Sequence, residues 1–159
     1  MPVTLRAYDP SKGDAEATLA VFRRAIRLTA SSAYTPEQVE AWATVVDLDP
    51  PQWAIRRERA ETVVALAGDD TVIGFSDTDQ HGYIDMMFVD PSVGRQGVAT
   101  ALLAEVTRRA HGHHAVELTT HASLIARPFF ERHGFVFVEE LRPAPQGVAM
   151  PSFALRKPL

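Results

Sequence analysis

A glycine-rich turn between a predicted strand and a predicted helix is the first feature of this sequence that could bind a ligand. The stretch VDPSVGRQGVATALL (residues 89–103) passes from an apolar segment through a turn into a helical pattern. A helix N-terminus has unpaired N–H groups and a partial positive charge, and residues without bulk let a phosphate approach them. Gly97 and Ala99 give this access, Arg95 adds a cation and Thr100 adds a hydroxyl. The turn therefore predicts an anion site, although small residues would equally let the helix pack closely on a sheet.

Two common nucleotide-binding motifs are missing from this turn. It lacks the GKT or GKS of a P-loop, and it lacks the GxGxxG of a dinucleotide fold. The predicted order of the strands also differs from that of a dinucleotide fold, which argues against an adenine-dinucleotide binder.

The composition is that of one globular domain over residues 1–159. The chain has 46% hydrophobic and 23% charged residues and a net charge of −4. It has no long basic run, so we expect no nucleic-acid partner. The short cluster Arg56, Arg57, Glu58 and Arg59 is interrupted by an acid and is predicted to lie on a solvated helix face.

Cysteine is absent, which excludes disulfides, thiolate zinc sites and a cysteine nucleophile. The N-terminus shows no signal-peptide pattern, and no apolar stretch approaches the ~20 residues that a membrane span needs. We therefore expect a cytoplasmic protein without a membrane partner.

The hydrophobic pattern predicts one α+β domain in the order β-α-α-β-β-β-α-β-α-β-β. A helix is predicted over 14–29, and Thr35, Pro36 and Gln38 mark the capping box of a second helix. A third short helix near 51–59 is left open. Two further helices are predicted in GVATALLAEVTRRA, which Gly112 ends, and in RPFFERHG. The predicted strands are VTLRAY, TVVALAG, TVIGFS, HGYIDMMFV, AVELTT, FVFVEEL and GVAMPSFALRK.

Two blocks of the sequence, YIDMMFVDPSVGRQGVATALL and ASLIARPFFERHGF, resemble the GNAT superfamily of acetyl-CoA-dependent N-acyltransferases. Together with AYTPEQVEAWA, they are similar to its small bacterial YafP-like branch. The resemblance covers nearly the whole chain and implies a mixed, mostly antiparallel sheet flanked by helices. Gly97, Val98 and Ala99 fit the second half of the family's helix-start motif, whereas Gly94 stands where the family has Gln or Arg.

The resemblance implies a site for acetyl-CoA as co-substrate, without a metal. Backbone N–H groups would hold the pyrophosphate, the preceding strand would pair with the pantetheine arm, and the N–H of Val89 would polarise the thioester carbonyl. The cofactor-binding residues implied in this way are Met87, Phe88, Val89, Arg95, Gln96, Gly97, Val98, Ala99, Thr100, Ser123 and Phe130.

The resemblance also implies where a general base would lie. The superfamily often has a basic residue six or four positions before that of Val89, which here are Tyr83 and Asp85. Strand alternation predicts that both point to the same face as Met87 and Val89. Asp85 would accept a proton directly or orient a water, and Tyr83 would bind substrate or donate a proton. The alternative is that Tyr83 is a half-buried core aromatic and Asp85 a solvated strand residue.

Phe130 occupies the position of the tyrosine that serves the family as general acid, and it cannot donate a proton. By the resemblance it would pack against the pantetheine arm. Ser123, Tyr83 and His133 are the alternative donors, or the thiolate leaves unaided. Ser123 has the competing interpretation of a helix cap, and His133 that of a surface histidine.

Three residues are candidates for the acceptor site. Tyr34 and Trp42 lie on the segment that covers the acceptor site in the superfamily, where aromatic rings can stack on a small aromatic or cationic acceptor. Trp42 has the alternative role of anchoring its helix on the sheet. His121, between AVELTT and the last helix, is either a substrate contact or a loop histidine. A metal site at His111, His113 and His114 is not expected, because no carboxylate or cysteine stands at ligand spacing.

The function predicted from these features is acetyl transfer from acetyl-CoA to a primary amine of a small molecule or peptide. The absence of cysteine favours direct attack in a ternary complex. The rival function is that of a non-catalytic acyl-CoA-binding sensor, because of the departures at Gly94 and Phe130. Superfamily members often dimerise, so a homodimer is compatible with the resemblance.

Overall fold

The computed structural model describes residues 3–45 and 50–159, which contain eight strands and five α-helices. The strands are β1 (Thr4–Ala7), β2 (Val63–Leu66), β3 (Val72–Ser76), β4 (Tyr83–Ile84), β5 (Met87–Val89), β6 (Glu117–Ala122), β7 (Val136–Leu141) and β8 (Ser152–Pro158). The helices are α1 (Asp14–Arg24), α2 (Pro36–Thr44), α3 (Pro50–Arg59), α4 (Val98–Gly112) and α5 (Arg127–Arg132). The third helix, left open from the sequence, is therefore present.

The strands form two four-stranded sheets. The first has the order β1-β2-β3-β5 and is antiparallel throughout. The second has the order β4-β6-β8-β7, with β4 and β6 parallel and the other pairs antiparallel. The expected α+β fold with a mostly antiparallel sheet is confirmed. The predicted strand HGYIDMMFV is divided, because β4 and β5 are edge strands of different sheets.

Helix α1 carries the predicted apolar face into the core. Leu19, Phe22 and Ile26 are buried and belong to a cluster that joins α1, α2 and α3 to the first sheet. The regular α-helix ends at Arg24, earlier than predicted, and continues as a π-helical turn over Ala25–Thr29. Such turns often lie at functional sites, and this one leads towards the segment that precedes α2.

Helix α4 is confirmed from its start to its end. The helix ends at Gly112, as predicted. Its predicted apolar residues are all buried against the sheets, namely Val98, Leu102, Leu103, Val106 and Ala110. Helix α2 has the predicted capping box, in which Thr35 accepts from the Gln38 N–H and the Gln38 side chain accepts from the Thr35 N–H. Within the described residues, no helix has the length and apolarity to cross a membrane.

Helix α3 differs from expectation at one residue of its charged cluster. Arg56, Glu58 and Arg59 are exposed, as a solvated face requires, but Arg57 is only 3% exposed. Its guanidinium lies over the ring of the fully buried Trp53 on the same helix, 5.0 Å from the ring centre. The prediction that Arg57 is solvated is therefore wrong, because its stem and charge pack inwards beside an aromatic ring and a buried acid.

Candidate active site

A single buried carboxylate lies where the predicted strand divides. Asp77, 2% exposed, follows β3, and its Oδ1 accepts hydrogen bonds from the N–H groups of Asp85 (2.9 Å) and Met86 (3.2 Å). Its other oxygen, Oδ2, accepts from Arg57 Nη1 at 2.8 Å. Burial raises the pKa of Asp77 above its ordinary value, and Arg57 acts against this rise. Asp77 therefore satisfies the backbone groups that the break between β4 and β5 leaves without strand partners.

This break changes which side chains share a face. Strand alternation predicts that Tyr83 and Asp85 point with Met87 and Val89, but the structure places the two pairs apart. Tyr83 and Asp85 line the same cavity as Phe88, whereas Met87 and Val89 pack on the cluster beneath α4. The prediction is wrong because the irregular backbone at Asp85 interrupts the alternation.

A cavity of about 740 Å³ lies between the first two helices and the second sheet. Its walls come from α1, α2, the break between the sheets and the segment that joins β7 to β8. Most of its lining is apolar, as is usual for small-molecule sites. The lining residues are Phe22, Tyr34, Trp42, Val45, Tyr83, Asp85, Met86, Phe88, His121, Ser123, Leu141, Arg142, Pro143, Ala144, Pro145, Met150, Pro151 and Ser152. We call it the central cavity.

Three chemically active side chains meet at one end of the central cavity. Tyr83 and His121 stack edge to face with their ring centres 5.3 Å apart, and Asp85 is an exposed carboxylate two residues beyond Tyr83. His121 lies in β6, which extends to Ala122, so the prediction that it lies in a loop after the strand is wrong. The structure thus brings together two catalytic candidates and one acceptor-site candidate from the sequence.

The hydroxyl of Tyr83 is held in its protonated form. Burial raises the pKa of Tyr83, and the negative charges of Asp85, Asp77 and Asp79 raise it further. The phenol is therefore suited to donate a hydrogen bond or a proton rather than to act as a base. Tyr83 and Asp85 also line a second cavity of about 560 Å³, whose other lining residues include Asp79 and His81.

Tyr34 and Trp42 form the aromatic floor of the central cavity. The Tyr34 hydroxyl donates to Pro151 O at 2.8 Å and accepts from the Leu124 N–H at 2.9 Å, so it ties the two sides of the cavity together. Trp42 is half-buried and contacts Tyr34 edge to face, with ring centres 5.9 Å apart, and Phe88 at 6.2 Å. Both the cover and the anchor interpretations of Trp42 are compatible with this position.

The outer edge of β5 has free backbone groups. The N–H of Asp90 donates to Ile73 O, and the N–H of Asp77 donates to Met86 O, so residues 86 and 90 face β3. In an antiparallel pair, every second residue turns its N–H and C=O away from the partner strand. Met87 and Val89 therefore present their backbone groups at the edge that faces the second sheet. This is the edge at which the resemblance predicts strand addition by an extended ligand.

The glycine-rich turn begins α4 with an open backbone. Gly97 is the N-cap with φ +81°, and a Cβ added there would meet no atom within 4 Å. In the described part of the chain, the N–H groups of residues 95–100 donate to no protein acceptor. The close packing of α4 depends instead on Gly74 of β3, where an added Cβ would lie 3.1 Å from Val98 Cγ1. The absence of a side chain at Gly97 therefore leaves the backbone N–H groups accessible, and it is not needed for the packing of α4.

Other residues around this turn are exposed or shape it. Arg95, Gln96 and Thr100 are exposed, and Arg95 has φ +63°. Asp90 fixes the entry to the turn, because its Oδ1 accepts from the Ser92 N–H at 2.9 Å and its Oδ2 accepts from Arg24 Nε at 3.0 Å. A cation, free N–H groups and open space thus coincide, and these features fit the pyrophosphate of a coenzyme.

Two of the predicted cofactor residues have structural roles. Ser123 Oγ accepts from the Ala126 N–H at 3.1 Å in the turn before α5, and Ser123 also lines the central cavity. The N-cap of α5 is Ala126, which has no side-chain cap, so the helix-cap interpretation of Ser123 is wrong. Phe130 is 3% exposed and packs edge to face on Phe129 and Phe135 in the core. Phe130 is not among the residues that line the central cavity, and its contact with pantetheine stays a prediction.

The remaining histidines lie away from the central cavity. His133 Nδ1 is 2.8 Å from Phe129 O, and its ring stacks on that phenylalanine, which is a local helix contact. His111, His113 and His114 are exposed at the end of α4. Among the described residues, His, Asp and Glu side chains form no group of three or more that could hold a metal ion.

Sequence reasoning missed Asp77, Arg57 and the roof of the central cavity. The roof comprises 141–145 and 150–152. The sequence predicts a connection over 142–147 and a strand over 147–157, but β8 begins only at Ser152, so the predicted start of this strand is wrong. Arg57 and Asp77 are 20 residues apart, and each stands among other charged residues. No local signal in the sequence distinguishes a buried pair of this kind from solvated neighbours.

Comparisons with known proteins agree with this fold. The family model of the acetyltransferase (GNAT) domain matches residues 30–151. An N-acetyltransferase of Escherichia coli K12, YafP, which is described as uncharacterized, is 38% identical over 154 residues, covering 97% of this chain and 95% of that protein. A GCN5-related N-acetyltransferase from Rhodopseudomonas palustris has a TM-score of 0.93 and 30% identity, with 100% of this chain and 97% of that chain covered.

A more distant structure shares the fold. The PaiA N-acetyltransferase of Thermoplasma acidophilum, in complex with coenzyme A, has a TM-score of 0.80 and 17% identity, with both chains covered completely. The two sheets and their flanking helices therefore define an acetyltransferase fold. The chain belongs to the GNAT family of N-acetyltransferases, which are acyltransferases.

Proposed function

We propose that the protein transfers the acetyl group of acetyl-CoA to a primary amine of a small molecule or peptide. The observation that carries this proposal is the position of Asp85. Its carboxylate lines an apolar cavity at the point where β4 and β5 separate, two residues from the free edge of β5. A carboxylate, an apolar cavity and a free strand edge thus adjoin one another, which supports the proposal.

The coenzyme would be held by backbone groups of this chain. The free N–H groups of residues 95–100 would bind the pyrophosphate, with the Arg95 cation beside them. The free edge of Met87 and Val89 would pair with the amides of the pantetheine arm. When bound, the coenzyme supplies an activated thioester.

Asp85 would prepare the amine for attack. A free alkylammonium group has a pKa near ~10.4 and must lose a proton before it can act as a nucleophile. The Asp85 carboxylate would attract the ammonium group and accept this proton directly or through a water. The second cavity, which Asp85 and Asp79 both line, would give that proton a polar route away from the amine.

Val89 and Tyr83 would assist the reacting thioester. The N–H of Val89 points away from β3 and is free to donate a hydrogen bond to the developing oxyanion. The Tyr83 phenol, whose pKa is raised by burial, would stay protonated and donate to the departing sulfur. A thiol pKa of about 8.5 makes the thiolate a tolerable leaving group, so the donor adds less than the base.

The proposal is tested by calorimetric titration with acetyl-CoA, with NADH as the control, followed by thiol release with a panel of primary amines. We expect acetyl-CoA to bind, NADH to give no response, and amines to accelerate thiol release. Binding of acetyl-CoA without acceleration by any amine would favour the acyl-CoA sensor instead. A cytoplasmic location and a homodimer stay predictions of the sequence.

A further inference from the structure

The central cavity has an apolar, aromatic end and a small polar end, which suggests the shape of its amine. Phe22, Trp42 and Phe88 form the aromatic end, and their ring centres are 5.0 Å apart for Phe22 and Phe88 and 6.2 Å for Trp42 and Phe88. Tyr83, Asp85 and His121 form the polar end. We infer that the acceptor is an arylalkyl primary amine without an α-carboxylate, an inference that rests on the proposed acetyl transfer.

The aromatic end is suited to a flat ring. Trp42 and Phe88 are half-buried, so part of each ring borders the cavity rather than the core. Met86, Met150 and Pro143 extend this apolar surface on the remaining sides. Aromatic pairs gain stability beyond the burial of their area, which favours an aryl group over an open alkyl chain.

The polar end is suited to one ammonium group. Asp85 is the one carboxylate among the described residues that line the cavity. It lies at the break between the sheets, where the acetyl group would be transferred. A diamine or polyamine would place its second ammonium at the aromatic end. The described residues at that end are apolar, so the second ammonium would give up its hydration in exchange for contact with ring faces.

An α-amino acid would be a poor acceptor for a different reason. Its carboxylate is two bonds from the amine and would lie beside Asp85, where like charges repel. Arg142 is the one guanidinium among the described lining residues and could pair with a substrate carboxylate. It lies at the rim of the cavity, however, and its side chain is 67% exposed. Arg142 Nη2 already donates to Glu140 Oε2 at 3.3 Å, so its charge is partly balanced there.

The first test compares acceptors at saturating acetyl-CoA by thiol release. 2-Phenylethylamine and tryptamine are set against phenylalanine, 1,4-diaminobutane, n-butylamine and a lysine-containing peptide. We expect kcat/KM for the two arylalkylamines to exceed that for phenylalanine and 1,4-diaminobutane by about 10²-fold, the scale of a mismatched pocket contact. Preference for the diamine, the amino acid or the peptide would overturn the inference while leaving acetyl transfer intact.

A second test measures amine binding without turnover. The chain has two tryptophans, of which Trp53 is fully buried and Trp42 lines the central cavity, so tryptophan fluorescence reports on that cavity. We expect 2-phenylethylamine to change the fluorescence and Trp42→Leu to abolish the change. Trp42→Leu is also expected to lower kcat/KM for 2-phenylethylamine about tenfold. Phe137→Leu, which alters a half-exposed aromatic outside the central cavity, is the control.

The two readouts separate the failure of this inference from that of the proposed function. A fluorescence response to 2-phenylethylamine without turnover of any amine would contradict acetyl transfer and support the ligand class. Turnover of other amines without such a response would contradict the ligand class alone. If neither turnover nor a response occurs, both proposals are overturned.

Discussion

Arg57 Nη1 donates to Asp77 Oδ2 at 2.8 Å, and the two side chains are 4% and 3% exposed. The pair joins α3 to the end of β3, and the other oxygen of Asp77 holds the N–H groups of Asp85 and Met86. A buried ion pair thus fixes the backbone from which the proposed base projects. Asp77 would act on the proposed reaction only through the backbone that it holds, as a positioning residue.

Removing both partners of this pair is expected to cost less than the sum of the two single removals. Asp77→Asn and Arg57→Met each leave a buried group without its partner, and each is expected to cost ~3–5 kcal/mol of unfolding free energy. The double variant Arg57→Met/Asp77→Asn is expected to lose less than the sum of the two. Urea unfolding measures all three.

The matched control for the buried pair is an exposed one. Arg27 and Glu40 pair at 3.0 Å with side chains that are 45% and 62% exposed, so Arg27→Met is expected to cost about 0–1 kcal/mol. If Asp77→Asn cost no more than Arg27→Met, the buried pair would have no special role in the fold.

Gly97→Glu is expected to abolish acetyl-CoA binding while leaving the fold intact. The added side chain places bulk and negative charge beside the free N–H groups at the start of α4, where its Cβ would meet no atom within 4 Å, although the φ of +81° strains any side chain there. Gly13→Glu is the control, since Gly13 is also a helix N-cap with a positive φ (+77°) and open space around it. Calorimetry with acetyl-CoA measures both variants, and normal binding by Gly97→Glu would show that the pyrophosphate site is misplaced.

Phe130→Tyr, which restores the residue that the family usually has, is expected to lower stability without raising the rate. Phe130 packs between Phe129 and Phe135 in the core, so a new hydroxyl would lack a partner, at a cost of ~1–3 kcal/mol. Phe129→Tyr at the half-buried neighbour is the control and is expected to cost less. A faster Phe130→Tyr enzyme of normal stability would show that this position still reaches the reacting sulfur.

Alkaline pH is expected to destabilise the protein through its tyrosines. Burial raises the pKa of Tyr8, Tyr34 and Tyr83, which are all the tyrosines of the chain. Because the folded state favours the protonated phenols, their contribution to stability is fully present below the unfolded pKa of about 10. It is lost as the pH rises through the folded values.

Absorbance of the phenolates, followed together with circular dichroism, tests this expectation. We expect phenolate to appear above pH ~10 and together with unfolding, later than in the same chain kept unfolded in urea. Titration of the three phenols near their ordinary pKa with the fold intact would contradict it.

Much of the fold could be predicted because its elements have local signals. The capping box at Thr35, the apolar face of α4 and its end at Gly112 each depend on residues within a few positions of one another. The glycine-rich turn could be predicted for the same reason, since Gly97 and its sequence neighbours form the candidate anion site largely by themselves.

The errors arise where a distant residue decides the local structure. Alternation predicts one strand from Tyr83 to Val89. Asp77 instead binds the successive N–H groups of Asp85 and Met86 in the middle of this segment, so the residues on either side no longer alternate in register with one another. Arg57 resembles its solvated neighbours until its partner 20 residues away is known. The roof of the central cavity likewise depends on how the segment between β7 and β8 folds over α2.

The most direct test of the account is the turnover of Asp85→Asn near neutral pH, measured with an amine that the wild-type protein acetylates. We expect kcat/KM to fall about 10²-fold or more, since the base is removed, while calorimetry shows unchanged affinity for acetyl-CoA. The control is Asp69→Asn, which changes an exposed carboxylate in the turn between β2 and β3. An unchanged rate for Asp85→Asn would contradict the account, because the carboxylate at the break between the sheets would then have no part in the reaction.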